Sequence, residues 1–485
     1  MLTAAMLAGV MTTTALAESA ESSDNTIVSE QQMPGGEETG EKPQMPEGQP
    51  PEFDGEMPPM DGNGQPPEGA PGQGAPGEGG PGQGGPGEMG GQGGPEGMGM
   101  PGMGGPGSSA DIEYQAANEL AGDSEGETFA SDTADESSVI VSGDTASMTG
   151  AQVTKTGDSD GENADFYGVN AAVLAKDGAN LTITGTQITT DGTHANGIFS
   201  YGEGTVVTVS DTDIVTTGNN SGGLMTTGGA AMDASRVTID TSGNSSAAIR
   251  SDRGGGVVTV ADSSASAHGV GSPAIYSTAD ITVTNSVLEA TNSEAVVIEG
   301  GNSVTLENVE ISGNNAELNG QSTVNTNVLI YQSMSGDASE GNSTFTMNGG
   351  KMTSNIGDMF HVTNVTTTIN LENVEFTYSD GAFLSAAADS WGNSGSNGGN
   401  VALNLKSQSI EGDITVDEIS SVTLDLSEGS SFTGAVDAQG TVSVTLDETS
   451  SWKLTGDSSV SEINGSTENI DLNGYVLYVN GEAWQ

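Results

Sequence analysis

Cysteine is absent from this chain, which excludes disulfides, thiolate metal sites and a lipidated cysteine. Positive charge is scarce: nine Lys and Arg face 67 Asp and Glu, a formal net charge of −58. Such a chain is repelled by phosphate backbones and anionic lipid surfaces, so nucleic acid is excluded as a partner. Aromatic residues make up only 4%, against 74 glycines, so a wide conventional core is not expected. Beyond the first residues no run approaches the ~18 apolar residues of a bilayer span, and no transmembrane segment is expected in the mature protein.

What the chain does contain changes along its length. Residues 1–17 read as a secretory signal: a largely apolar or small run from Leu2 to Leu16, with Ala15-Leu16-Ala17 as the cleavage site but no basic start. Residues 18–110 are acidic and then rich in Pro, Gly, Gln, Glu and Met, a composition that buries too little to offset the entropy of ordering. This segment is expected to be a disordered linker. Its clustered Met98, Met100 and Met103 carry thioethers of the kind that bind Cu(I), although biased composition alone accounts for them. Further on, Asp158, Asp160 and Asp165 crowd carboxylates around Gly161. Oxygen ligands beside a turn glycine suit Ca²⁺; a solvated turn is the plainer reading.

Between 180 and 313 one phrase keeps returning: Leu181-Thr182-Ile183, Val207-Thr208-Val209, Val237-Thr238-Ile239, Val258-Thr259-Val260, Ile281-Thr282-Val283 and Val304-Thr305-Leu306. Each has the period-2 alternation of a strand with one buried face. A second phrase alternates with it: Gly197-Ile198-Phe199, Gly223-Leu224-Met225, Ala248-Ile249-Arg250, Ala274-Ile275-Tyr276 and Ala295-Val296-Val297. Polar turns separate the two. A period of roughly 21–30 residues signals a solenoid rather than a single globular core. Residues 111–485 are therefore expected to form an all-β, right-handed parallel β-helix, the handedness following the general rule for parallel crossovers. The Gly/Ser/Asn-rich stretch from Ala386 to Asn400, carrying Trp391, reads as an excursion from the stack.

Three groups of residues could carry function. All three arginines, Arg236, Arg250 and Arg253, fall in one short window with Asp252, and neighbouring coils could bring them together as the basic and acidic groups of a polysaccharide lyase or hydrolase. A local neutralising cluster is the alternative. Phe199, Tyr201, Tyr276 and Tyr331 follow inward-reading positions, so alternation points several of them outward, where aromatic faces suit sugar rings or a protein partner. The threonine column Thr182, Thr208, Thr238, Thr259, Thr282 and Thr305 would line one wall. Its neighbour two places on is broken by charge, which argues against ice binding. His194 and His361 read as surface-turn residues.

Near the end, Val442-Ser443-Val444-Thr445-Leu446-Asp447 is followed by Ser451-Trp452-Lys453-Leu454-Thr455-Gly456-Asp457-Ser458-Ser459-Val460. This region resembles the closing segment of pertactin-like and AIDA-like autotransporter passengers, adhesin-type right-handed β-helices. The resemblance implies a cap over about 442–485, with Trp452 closing the apolar column and Tyr475 to Gly481 forming the last edge. No membrane barrel follows Gln485, so free secretion or noncovalent attachment to a bacterial cell surface is expected. The sequence thus points to a secreted, noncatalytic, adhesin-like monomer that binds glycans or cell-surface partners through a lateral face. A lyase or hydrolase acting on acidic glycans, and a structural spacer or surface-layer component, are the competing readings. No cofactor is expected, and Ca²⁺ is the ion that the acidic turn around Gly161 would suit.

Overall fold

The computed structural model describes residues 112–318 and 323–484. The signal (1–17), the linker (18–110) and the linker's methionine cluster lie outside the described residues. The rest is an all-β parallel β-helix. One coil runs through the strands Asn180–Thr184, Gln187–Thr190 and Ile198–Tyr201, and the next begins at Val206–Ser210. These strands define three faces. On the first, Leu181 pairs with Val207 and Thr182 with Thr208; on the second, Ile188 pairs with Ile214; on the third, Ile198 pairs with Leu224. The first two faces belong to a 22-stranded sheet and the third is a 12-stranded sheet.

Inward residues of all three faces meet in one narrow column that includes Leu181, Ile188, Ile198, Val209, Ile214 and Leu224. Most core layers are supplied by short β-branched or aliphatic side chains, and most of the column's few aromatics, Phe345, Phe360, Phe383, Phe432 and Trp452, fall in its later coils. The second phrase of the sequence is the third face throughout, because Leu224, Ile249, Ile275 and Val296 follow Ile198 in register. The first phrase is the first face with one exception. Thr208 pairs with Asp233, and Asp233 with Thr259. Val237-Thr238-Ile239 lies instead on the second face, where Thr238 pairs with Asp213 and Ser264. The threonine column is therefore interrupted by an aspartate at that coil.

The corners explain the polar phrases between strands. Between the first and second faces a single residue takes the left-handed conformation in each coil: Gly185, Asp211, Arg236, Asp262, Asn285 and Asn308. The polar ones bond along the column, with Asn308 Nδ2 donating to Asn285 Oδ1 at 3.0 Å. Between the second and third faces stand Gly192, Gly218, Gly243 and Gly269. A Cβ at Gly218, Gly243 or Gly269 would lie under 3.0 Å from the carbonyl oxygen of the glycine one coil earlier, so no other residue fits. Just after them runs a buried hydroxyl ladder. Ser221 Oγ accepts the Ala195 N–H at 2.9 Å, Ser246 Oγ the Ser221 N–H at 2.9 Å, and Ser272 Oγ the Ser246 N–H at 2.8 Å. These hydroxyls satisfy backbone groups that the turn removes from the sheet ladder.

Toward the end, Leu405, Leu426 and Leu446 stack in register. Trp452 is fully buried, stacks on Phe432 with centroids 5.7 Å apart, and donates Nε1–H to Gly434 O at 3.0 Å. Leu477–Val479 pairs with Ser458–Val460 in parallel and then with Glu482–Ala483 antiparallel, the one reversal among the described pairings. No described helix is long and apolar enough to cross a membrane.

Candidate functional site

The outward side of the third face is where the coil departs from regularity. Its outward positions form two columns. One holds Phe199, Met225, Arg250, Tyr276, Val297, Leu329 and His361; the other holds Tyr201, Thr227, Glu299 and Tyr331. Alternation does point these side chains away from the core column. Excursions from other coils then cover them. Phe199 is 0% exposed and Tyr331 2% exposed, which overturns the expectation that both present open aromatic faces. Phe199 packs with Ile140, Leu174 and Met225. Tyr331 packs with Val297 and Leu329, and Trp391 lies over it at 5.0 Å. Tyr201 and Tyr276 are half-buried: Tyr201 meets the Tyr167 ring edge-on at 5.4 Å, and Tyr276 OH donates to Glu299 Oε2 at 2.5 Å. Burial pushes the hydroxyls of Tyr276 and Tyr331 well above their ordinary pKa, and the Glu299 carboxylate adds to the effect.

The charged groups on this face are mutually saturated. Arg250 Nη2 donates to Asp252 Oδ2 at 2.7 Å, and the Arg253 N–H to Asp252 Oδ1 at 3.0 Å. Arg253 Nε donates to Asp337 Oδ1 at 2.8 Å while its guanidinium lies 3.8 Å from the Phe166 ring. Glu299 accepts from Tyr276, from Tyr331 at 3.1 Å, and from Ser333. Burial raises the Asp252 pKa, with Arg250 opposing the shift. Arg236 does not join this group. It occupies a corner on the opposite side of the second face, more than half exposed, and forks onto Asp211 at 2.7 and 2.8 Å. The three arginines therefore do not converge. Arg250 and Arg253 share Asp252, and each spends its guanidinium on a carboxylate.

Asp158, Asp160 and Asp165 do not form a common oxygen cage. Asp158 Oδ1 accepts the Thr193 N–H at 2.8 Å, Asp160 is exposed, and Asp165 belongs to the short helix Glu162–Tyr167. Asp165 Oδ1 lies 2.8 Å from His194 Nδ1, while Asn220 Nδ2 lies 3.2 Å from His194 Nε2, an arrangement that a neutral Nδ1–H imidazole satisfies. Among the described residues no group of three or more His, Cys, Asp or Glu is placed to hold a metal ion. His361 also departs from the surface-turn expectation. It is 2% exposed, with Nε2 3.4 Å from Asp389 Oδ2 under the excursion that carries Trp391. The neighbouring His361 imidazole and a hydrogen bond from Thr323 hold the Asp389 carboxyl well below the usual range, against the effect of burial.

One concavity stands out, and the sequence did not single it out. At the corner joining the third face to the first, the coil from Asp358–Thr363 to Thr366–Glu372 turns through Asn364 and Val365 alone. The coil before it detours through 332–341 and the coil after it through 387–399. The short corner becomes the floor of a groove of about 650 Å³ whose walls are the two detours. Asn364, Thr366, Asn342, Asn393, Ser396 and Asn400 line it, and its single charged lining residue is Glu340. Asn364 Nδ2 donates to Gln332 O at 2.7 Å and fixes one wall. On the other, Gly392 approaches so closely that a Cβ there would strike the Asn364 amide. The signal available in the sequence was the unequal spacing of strand phrases between Tyr331 and Asn400.

No family model matches this chain, and no curated protein is significantly similar to it.

Proposed function

We propose that the protein is a secreted, noncatalytic, adhesin-like β-helix of the pertactin-passenger kind, which binds glycans or cell-surface partners through its lateral wall. The observation that carries this reading is the groove on the Asn364 corner. It is a polar recess built by two detours on an otherwise regular stack, placed on a side wall where an extended ligand has access. Amide and hydroxyl groups there supply donors and acceptors, and the single carboxylate of the lining, Glu340, has no second acidic or basic side chain beside it in the lining to complete a catalytic pair. The lyase or hydrolase reading loses its main support because Arg250, Arg253, Asp252 and Glu299 already bond one another, and Arg236 stands apart. The signal at 1–17 and the closing motif at 451–460 support export, and retention at a bacterial surface follows from the resemblance of that motif. A glycan array probed with the full chain, alongside adhesion of labelled protein to cells, tests the proposal. Retention on a defined glycan set, without turnover of acidic polysaccharides, is the expected result. Retention on no glycan and no cell, or release of unsaturated uronate products, would overturn it.

A further inference from the structure

Resting on that reading, we infer that the groove over Asn364 takes a single chain of a neutral saccharide, and that it rejects uronate, sialylated or sulfated glycans. Three observations converge on this class. The first is charge. The groove lining offers Glu340 and no Lys, Arg or His. Six of the bases elsewhere on the described surface are committed: Lys176 to Asp177, Arg236 to Asp211, Arg250 to Asp252, Arg253 to Asp337, Lys351 to Glu375 and Lys406 to Glu372, while the exposed Lys453 stands in the closing strand Ser451–Lys453, outside the groove lining. Lys155 is buried on the carbonyls of Thr133 and Gly157. An anionic sugar would enter beside an unpaired carboxylate, in a chain of net charge −58, with no cation to meet it.

The second observation is width. The two walls rise from coils on either side of the floor coil, whose strands stand two spacings apart at the base of the groove, about 9.6 Å. An α-helix with side chains measures about 10–12 Å across, wider than that base. The third is the state of the backbone. In a stacked coil, the N–H and C=O groups of each strand already pair with the coils before and after it, as Thr366 to Glu372 do with Asn342 to Asn348 and with Asn400 to Lys406. The wall offers no free edge to which an extended peptide could add as a strand. What the groove does present is a set of side-chain amides and hydroxyls, Asn342, Asn364, Thr366, Asn393, Ser396 and Asn400. These groups both donate and accept, as sugar hydroxyls require.

The test uses the full chain on matched panels of neutral and acidic oligosaccharides and an extended-peptide library, at low and high salt. Asn393 is exposed on a detour, so Asn393→Trp fills the groove mouth without touching the core. Neutral oligosaccharides are expected to be retained with little dependence on salt, and Asn393→Trp is expected to weaken retention at least tenfold. In the same assay Glu340→Lys should gain binding to acidic oligosaccharides. Circular dichroism of both variants should match the parent. Preference of the parent for acidic glycans, or for the peptide library, would overturn the inference. So would neutral-glycan binding untouched by Asn393→Trp, which would leave the lateral-wall reading standing and move the site. Absence of binding to every probe and to cells would instead sink the broader proposal.

Discussion

At the scale of single residues, the corners are the most constrained part of the chain. The glycine column lets successive coils approach closely, and the serine ladder bonds each coil to its neighbour. Gly218→Ala places a methyl group against the Gly192 carbonyl, and overpacking of this kind costs about 2 kcal/mol. Ser246→Ala orphans the buried Ser221 N–H and the Gly218 carbonyl, for which about 1–3 kcal/mol is expected. Urea unfolding of the two variants measures both. Lys155 gives a pH signature. Its ammonium is removed from water, and burial lowers its pKa from the ordinary 10.5. Between the lowered value and 10.5 the unfolded chain therefore holds more protons than the folded one, so this residue makes stability rise with pH. Tyr276 and Tyr331 act in the opposite sense above about pH 10, because their folded pKa values lie above the unfolded one. The comparison is thus made below that pH. Over that range the urea midpoint of Lys155→Met should climb less than that of the parent, and equal slopes would contradict the burial argument.

At the scale of elements, strand spacing was legible because core layers repeat coil after coil. The third-face phrases all fell where the pattern put them. Val237-Thr238-Ile239 did not, since the first and second faces both read apolar–polar–apolar and only a two-residue corner separates them. Distance to the corner glycine distinguishes the faces. Thr182, Thr208 and Thr259 each lie ten residues before Gly192, Gly218 and Gly269, whereas Thr238 lies five before Gly243. The cover over the third face was not legible. Alternation sets only the direction of a side chain, while the burial of Tyr331 depends on Trp391, some coils away in sequence. The carboxylate cage imagined for Asp158, Asp160 and Asp165 failed for a related reason. Glu162–Tyr167 forms a short helix that turns Asp165 to His194. Because each coil contacts only its neighbours, a detour can be shortened without unravelling the stack. Replacing 387–399 with a two-residue corner like Asn364 and Val365 is expected to preserve the far-UV circular dichroism of the parent. It should expose Tyr331 to quencher and abolish glycan retention. Loss of the β signal would show that the detour is needed for folding.

At the scale of the whole molecule, a parallel stack has two ends, and each end is an open sheet edge prone to pairing with other chains. Here the antiparallel turn of Leu477–Val479 onto Glu482–Ala483 covers one of them, with Trp452 plugging the core column beneath. Truncation before Tyr475 uncovers Ser458–Val460, and light scattering is expected to show association that the full chain lacks. The stacking register itself is open to a direct measurement, because the chain has no cysteine to interfere. Aligned parallel strands place partner Cα atoms about 4.8 Å apart, inside the range a disulfide spans. Under mild oxidation Thr208→Cys paired with Asp233→Cys should crosslink, whereas Thr208→Cys paired with Thr238→Cys should remain free thiols. Crosslinking of the second pair and not the first would contradict the coil-on-coil arrangement on which the lateral wall and its groove depend.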